Sequence, residues 1–354
     1  MIDRRQVLAG GLGTAAWVSL RGAGLAQDAD ASPEVSPAAS PVAAIGGSLV
    51  IYSGRNENLV GPVIKRFQEA TGITAEVRFG DTAELAATIL EEGDNSPADV
   101  FFSQDAGAVG ALAREGLLAP VDQAVLDLVP AEYRSTDGVW VGVSGRARVL
   151  AYNTDTVTVD RLPSGVAGLT DPSWAGKVGW APTNGSFQAF VTAFRVLEGD
   201  DAARAWLTAM RDNGTVVFDG NGPIVQAVAA GELEAGLVNH YYRYEIAAEE
   251  GTDLPVQNHF FAAGDPGSLV NVAAVAELAT AANGDQAKAF IAYLLGEEAQ
   301  TYFATETFEY PLIAGVETAP DLTPLDEIES PDIDLSDLAD LEATLELIAE
   351  VGLV

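Results

Sequence analysis

Between residues 48 and 115 the chain alternates short β-rich runs with amphipathic helical stretches. SLVIYS (48–53) reads as a strand. Residues 58–71 follow with Leu59, Val60, Val63, Ile64, Phe67 and Ala70 on one helical face, and Gly72 stops that helix. Residues 74–79 alternate as a second strand, and Asp81 with Glu84 makes a capping box ahead of a helix carrying Leu85, Ile89 and Leu90. DVFFS (99–103) is a third strand, followed by a helix over 106–115. Strands joined in this way must lie parallel and be covered on both faces, which predicts an α/β sheet with its ligand crevice at the strands' carboxyl ends. Those ends carry residues 53–57 and 103–105.

A second α/β section spans roughly 145–272. Its expected strands are 149–152, 178–181, 216–219 and 235–238, and its expected helices are 187–197, 201–213 and 224–230. A further strand and the helix AKAFIAYLLG lie within 269–295. A length of 354 residues suits about two domains, so the expected architecture is α/β with two lobes and an interlobe cleft. The acidic tail carries Leu338, Leu341, Leu345 and Ile348 at helical spacing, which predicts a helix docked on the body; a solvated acidic extension is the alternative. At the other end, residues 1–26 pair Arg4 with Arg5 ahead of a short Gly/Ala-rich apolar run and small residues, the pattern of a twin-arginine export signal. Residues 27–46, rich in Ala, Ser and Pro, read as a flexible spacer.

Composition narrows the chemistry. With 18 basic against 52 acidic residues the net charge is −34, which disfavours nucleic acid and anionic membrane surfaces and favours a cationic ligand. No cysteine is present, so thiolate metal sites, cysteine nucleophiles and disulfides are excluded. With two histidines, a multi-histidine site in one chain is excluded as well. The common hydrolase, metalloprotease and nucleotide-binding motifs are absent. Carboxylates are numerous enough to leave a carboxylate-pair hydrolase open.

Two clusters carry the remaining signal. NHYYRY (239–244) holds three of the nine tyrosines directly after an expected strand, so Tyr241 and Tyr242 can converge on the sheet's carboxyl edge. Paired phenolates are hard oxygen donors suited to a small, highly charged cation such as ferric iron. A buried amphipathic contact is the other reading of such a pair. PTNGSFQ (182–188) places Asn184 as a cap before an apolar helix, with the amides of Gly185 and Ser186 expected to be free to face a small anion; ordinary capping is the alternative. Asn221, in the turn DGNGP, is a candidate polar contributor or simply a turn residue.

Seven islands in one order, LVIYSGRNE, SPADVFFSQDAGAV, GLLAPV, VSGRARVLAYNTD, WAGKVGWAPTNGSF, QAVAAGELEAGLVNHYYRY and DPGSLVNVAAVAEL, resemble the periplasmic ferric iron-binding proteins of bacterial ABC importers. The resemblance runs over about 48–315. It implies Fe3+ held as cargo in the cleft by Tyr241 and Tyr242. It also implies a synergistic anion, carbonate or phosphate, on Asn184, Gly185, Ser186, Asn221 and Asn239. Three positions depart from the family pattern. Asn56 stands where a histidine is expected, Gln104 where a glutamate is, and Phe187 where some members use an extra tyrosine. Asn56 and Gln104 are therefore weak neutral candidates for the inner or outer ligand sphere, and Arg55, Arg146 and Arg148 are candidates to neutralise the anion. The implied boundaries are an N-lobe over 47–147 and 272–316, a C-lobe over 148–271, and an acidic helical extension over 317–354. The implied role is that of a non-catalytic, exported monomer, periplasmic or on the extracytoplasmic face of the membrane, serving an inner-membrane ABC permease. The same fold binding a polyamine, a thiamine-like cation or an oxyanion is the main alternative.

Overall fold

A computed structural model describes residues 45–319 and 321–354. The expected export signal, and all of the expected spacer except Ile45 and Gly46, lie outside them.

The first section forms β1 (Ser48–Ser53), α1 (Glu57–Thr71), β2 (Thr74–Phe79), α2 (Thr82–Glu92), β3 (Val100–Ser103) and α3 (Ala106–Arg114). β1 pairs in parallel with both β2 and β3, as the crossover helices require. Capping fixes the helix starts. Asn56 Oδ1 accepts from the Asn58 amide, Asp81 Oδ1 from those of Ala83 and Glu84, and Asp105 Oδ1 from that of Ala108. Gly72, at φ 72°, supplies the left-handed residue that ends α1.

After the one-turn α4 (Gln123–Leu126) comes β4 (Val141–Asn153), longer than the 149–152 expected and buried along its whole length. Small and polar residues in VGVSGRARVLAYN break the apolar run that would have revealed its first half. β4 belongs to both halves of the sheet. Val141 to Ala147 pair with the antiparallel β9 (Val270–Glu277), and Arg148 to Asn153 pair with β7 (Ala235–Asn239) and β8 (Val256–His259). With β5 (Val178–Trp180) and β6 (Val216–Val217) at its far edge, the sheet is thus mixed, in the order β2-β1-β3-β9-β4-β7-β5-β6.

The second half adds β5 (Val178–Trp180), α5 (Gly185–Glu198), α6 (Asp200–Asp212), β6 (Val216–Val217), α7 (Asn221–Ala229) and α8 (Tyr242–Glu250). β6 stops two residues short of the expected 216–219. The chain then returns through α9 (Gly284–Leu294), α10 (Glu297–Glu306) and β10 (Tyr310–Pro311), which pairs with β4. A large core follows β1, β3, β4 and β9, and a second core centres on Trp180, Phe187, Phe190 and Trp206. Their rings meet edge to face, with centroids 5.5 to 6.1 Å apart. The C-terminal segment forms a 3-10 turn (Leu335–Ala339) and α11 (Leu341–Glu350), whose Leu347 and Ile348 join the second core. Of the four residues expected on its apolar stripe, Leu338 and Ile348 are buried, while Leu345 remains 38% exposed.

Candidate functional site

A cleft of about 910 Å³ opens where helix N-termini from both halves of the sheet converge. Asn56 and Gln104 line it from one half, and Asn184, Gly185, Ser186, Tyr241 and Tyr242 from the other. The helix starts follow strand ends, so the crevice lies on the sheet's carboxyl edge, where their partial positive charges favour anionic groups.

Tyr241 sits in the step from β7 to α8 and Tyr242 is the first residue of α8. Their rings stack with centroids 4.5 Å apart and planes at 28°. Tyr241 is 1% exposed. Burial raises its hydroxyl pKa, against the opposing pull of the Arg146 guanidinium. Tyr242 is pushed well above the ordinary phenol value, first by the charge of Tyr241 beside it and then by burial. Both phenols are neutral near pH 7, and giving up both protons takes a strongly charged cation between them.

His240 anchors this turn. Its Nδ1 accepts from the Ala147 amide at 3.1 Å and its Nε2 donates to the Phe308 carbonyl at 2.9 Å, which assigns the neutral tautomer. Burial pushes its pKa down to about 3. Tyr244 points away from the cleft, its hydroxyl donating to the Asp321 carbonyl.

Behind the tyrosines lie three buried arginines. Arg146 and Arg148 are two residues apart on β4 and so share a face, and the β4–β7 register sets Arg148 beside Asn239. Arg148 lies over the Phe187 and Phe190 rings, 5.4 and 5.5 Å from their centroids. Its Nη1 donates to Asn221 Oδ1 at 3.4 Å, whereas its Nε and Nη2 have no partner among the described residues. Burial brings its pKa down to about 9, which still leaves it charged at neutral pH. Asn221 is no mere turn residue: it begins α7, is buried, and its Oδ1 also accepts from the Asn239 amide. Asn239 Nδ2 donates to Ser186 Oγ, which in turn donates to Asn184 Oδ1. Of the five residues expected around an anion, Asn184, Gly185 and Ser186 line the cleft, and the buried Asn221 and Asn239 join Asn184 and Ser186 in one hydrogen-bonded chain.

Two expectations need correction. The Ser186 amide is not free, because it donates to its own cap, Asn184 Oδ1, at 3.2 Å; Gly185 alone keeps an uncommitted amide there. Arg55 is not available to neutralise an anion. Its Nη2 bonds Glu309 Oε2 at 2.6 Å and its Nη1 bonds Gln104 Oε1 at 2.7 Å. Gln104 is thereby committed through its side chain, and its carbonyl accepts from Arg146. Asn56 is exposed and occupied as the α1 cap.

Sequence reasoning missed Glu309. It is fully buried, holds Arg55, accepts from Thr307 Oγ1 and lies 4.0 Å from Arg146. One signal was available: an acidic residue between Phe308 and Tyr310 in an apolar stretch requires a buried cationic partner. Among the described residues no group of three or more His, Cys, Asp or Glu side chains is placed to hold a metal.

Residues 95–334 match the model of the bacterial extracellular solute-binding proteins. The Fe(3+)-binding periplasmic protein of Serratia marcescens is 34% identical over 308 residues, 86% of this chain and 90% of the relative. Among solved structures, iron-bound HitA from Pseudomonas aeruginosa is 35% identical with a TM-score of 0.81, the match covering 86% of this chain and 99% of that one. The Trichodesmium protein in complex with iron and citrate is 29% identical with a TM-score of 0.74, over 86% and 99%.

Proposed function

The chain belongs to the bacterial extracellular solute-binding proteins, and from that premise we propose that it captures ferric iron between its lobes, on Tyr241 and Tyr242, for delivery to an inner-membrane ABC permease. The observation that carries the reading is the stacked tyrosine pair lining the cleft, with the buried guanidiniums of Arg146 and Arg148 close behind it. A trivalent cation replaces both phenol protons, and Arg146 helps Tyr241 bear the resulting charge. Relatives named for ferric binding support the cargo.

A synergistic oxyanion, carbonate or phosphate, completes the sphere. Its donors are the orphaned N–H groups of Arg148, the free Nδ2 of Asn221 and the Gly185 amide. Asn56 and Gln104 have their side-chain oxygens engaged elsewhere, so the first lobe supplies no strong protein ligand and the anion supplies the hard oxygen donors. The lobes in this reading are 47–147 with 272–316, and 148–271; they close on the cargo and reopen at the permease. The cargo leaves chemically unchanged. The protein acts as a monomer on the extracytoplasmic side, after export directed by residues 1–26. Among the described residues no helix is long and apolar enough to cross a membrane.

Ferric citrate added to purified apo protein is expected to give a visible phenolate-to-iron band. Y241F/Y242F is expected to abolish it with the fold intact, because only two hydroxyls are lost. Buffers stripped of carbonate and phosphate are expected to weaken loading, and restoring either is expected to recover it. A retained band in the double variant refutes the assignment.

A further inference from the structure

The C-terminal segment runs from one lobe to the other across the cleft mouth. Its 3-10 turn, 335–339, lies mainly on α3, which follows β3 in the first lobe, and its edge also touches α5. α11 begins at Leu341 and lies on α5, which follows β5 in the second. Asp340 is the single residue between the turn on α3 and the start of α11. Two Cα–Cα steps reach at most about 7.6 Å, so the lobes cannot part further at this edge while both footings hold.

Each footing is built. On α3, Gly107 and Gly110 leave room for the strap backbone: a Cβ at Gly107 would overlap the Leu338 carbonyl, and one at Gly110 would come 2.9 Å from that of Ser336. Leu335 and Leu338 are buried there, and Arg114 Nη2 donates to the Ser336 carbonyl at 3.2 Å. On the α5 side, Arg195 donates to the Asp340 carbonyl at 3.0 Å and to Thr344 Oγ1 at 2.8 Å. Thr344 also bonds Thr192 at 2.8 Å, Arg211 donates to the Val351 carbonyl, and Leu347 and Ile348 enter the core. The second footing has more polar contacts and more buried side chains. Leu338, Leu341 and Leu345 border the same cavity as Tyr241 and Tyr242. The family match ends at 334, immediately before this segment.

We propose that residues 335–354 form a strap that stays with the second lobe and couples opening of the cleft to lifting of the 335–339 turn from α3. Its consequence for cargo release rests on the ferric reading above; its consequence for lobe opening does not.

Two variants of the full chain test it. G107A favours the α3 helix itself but displaces the strap. G110C/A339C places Cβ atoms 3.5 Å apart, within disulfide range, in a chain with no other cysteine. The new Cβ at 110 crowds Ser336, so the reduced form is loosened and the oxidised form locked. Small-angle scattering of the apo protein reads opening, and decay of the visible band under excess chelator reads release. The expected result is a smaller radius of gyration and release at least ten-fold slower for the oxidised pair than for its reduced form, with G107A releasing several-fold faster than wild type. Identical radii and release rates for oxidised and reduced protein, or wild-type behaviour of G107A, overturn the strap. If wild type shows no visible band, the ferric reading fails, while the oxidised-against-reduced radius still decides the strap.

Discussion

Glu309→Gln is expected to cost about 3–5 kcal/mol of folding stability, because it breaks a buried ion pair from one side only. The Arg55 and Glu309 side chains are 0% and 1% exposed and meet at 2.6 Å. Arg146 Nη1 lies 4.0 Å from the other carboxylate oxygen, so the substitution leaves two buried guanidiniums without their shared counter-charge. The molecule contains its own control. Arg66 and Glu306 meet at the same 2.6 Å, but their side chains are 35% and 49% exposed. Water and salt screen that pair, so Glu306→Gln is expected to cost about 0–1 kcal/mol. Equal distances and unequal burial make the pair of variants a direct test of which matters. The assay is urea denaturation followed by circular dichroism, with the midpoint and slope fitted together so that a change of slope is recognised. Replacing both partners by apolar residues of similar volume, R55M/E309L, is expected to recover most of the loss, since neither charge is then left stranded. Costs within about 1 kcal/mol of each other for Glu309→Gln and Glu306→Gln would refute the argument that burial, and not proximity, sets the strength of this pair.

Arg148→Met removes the guanidinium whose Nε and Nη2 are unpartnered. Losing one charge-assisted hydrogen bond of about 1.5–3 kcal/mol is expected to weaken anion-dependent ferric loading roughly 10- to 100-fold, leaving the anion-free baseline unchanged, as read by titration with and without carbonate. Burial, and after it the charges of Glu309 and Glu249, push the Glu245 carboxyl up to about 7. The fold therefore holds this proton more tightly than the unfolded chain does, and its contribution to stability fades as pH rises from the ordinary Glu value toward 7. Glu245→Gln is expected to gain on wild type by a larger margin at pH 8 than at pH 5 in denaturation midpoint; a margin independent of pH would refute the shift.

Local patterns carried much of the fold. β1 and β2 occupy the residues that their alternation and flanking turns indicate, 48–53 and 74–79, and three helix starts coincide with residues chemically suited to capping. Where the sequence was silent, the reason is that the deciding interaction joins residues far apart in the chain. β4 lies in both halves of the sheet, so its pairing with β9 and β7 makes a strand of thirteen residues out of a stretch with polar and glycine interruptions.

The candidate site divides along the same line. The tyrosine pair and the Asn184 turn are contiguous motifs, and contiguity made them visible as candidates. The arginine chemistry is not contiguous. Arg55 and Glu309 are 254 residues apart, and only folding reveals that one guanidinium is neutralised while Arg148, buried near the tyrosine pair, is not. Three arginines equivalent by residue type thus take different parts through their surroundings. Arg55 is tied to a carboxylate, Arg146 lies beside Glu309 and Tyr241 with its Nη1 and Nε unpaired, and Arg148 sits over two rings with two donor groups free. A desolvated cation with free donors is costly to keep unless something negative arrives, and Arg148 is connected through Asn221 and Asn239 to Ser186. In the ferric reading proposed above, this charge balance favours an anion arriving with the cation, and it gives the anion suggested by residues 182–188 a reason that lies outside that stretch.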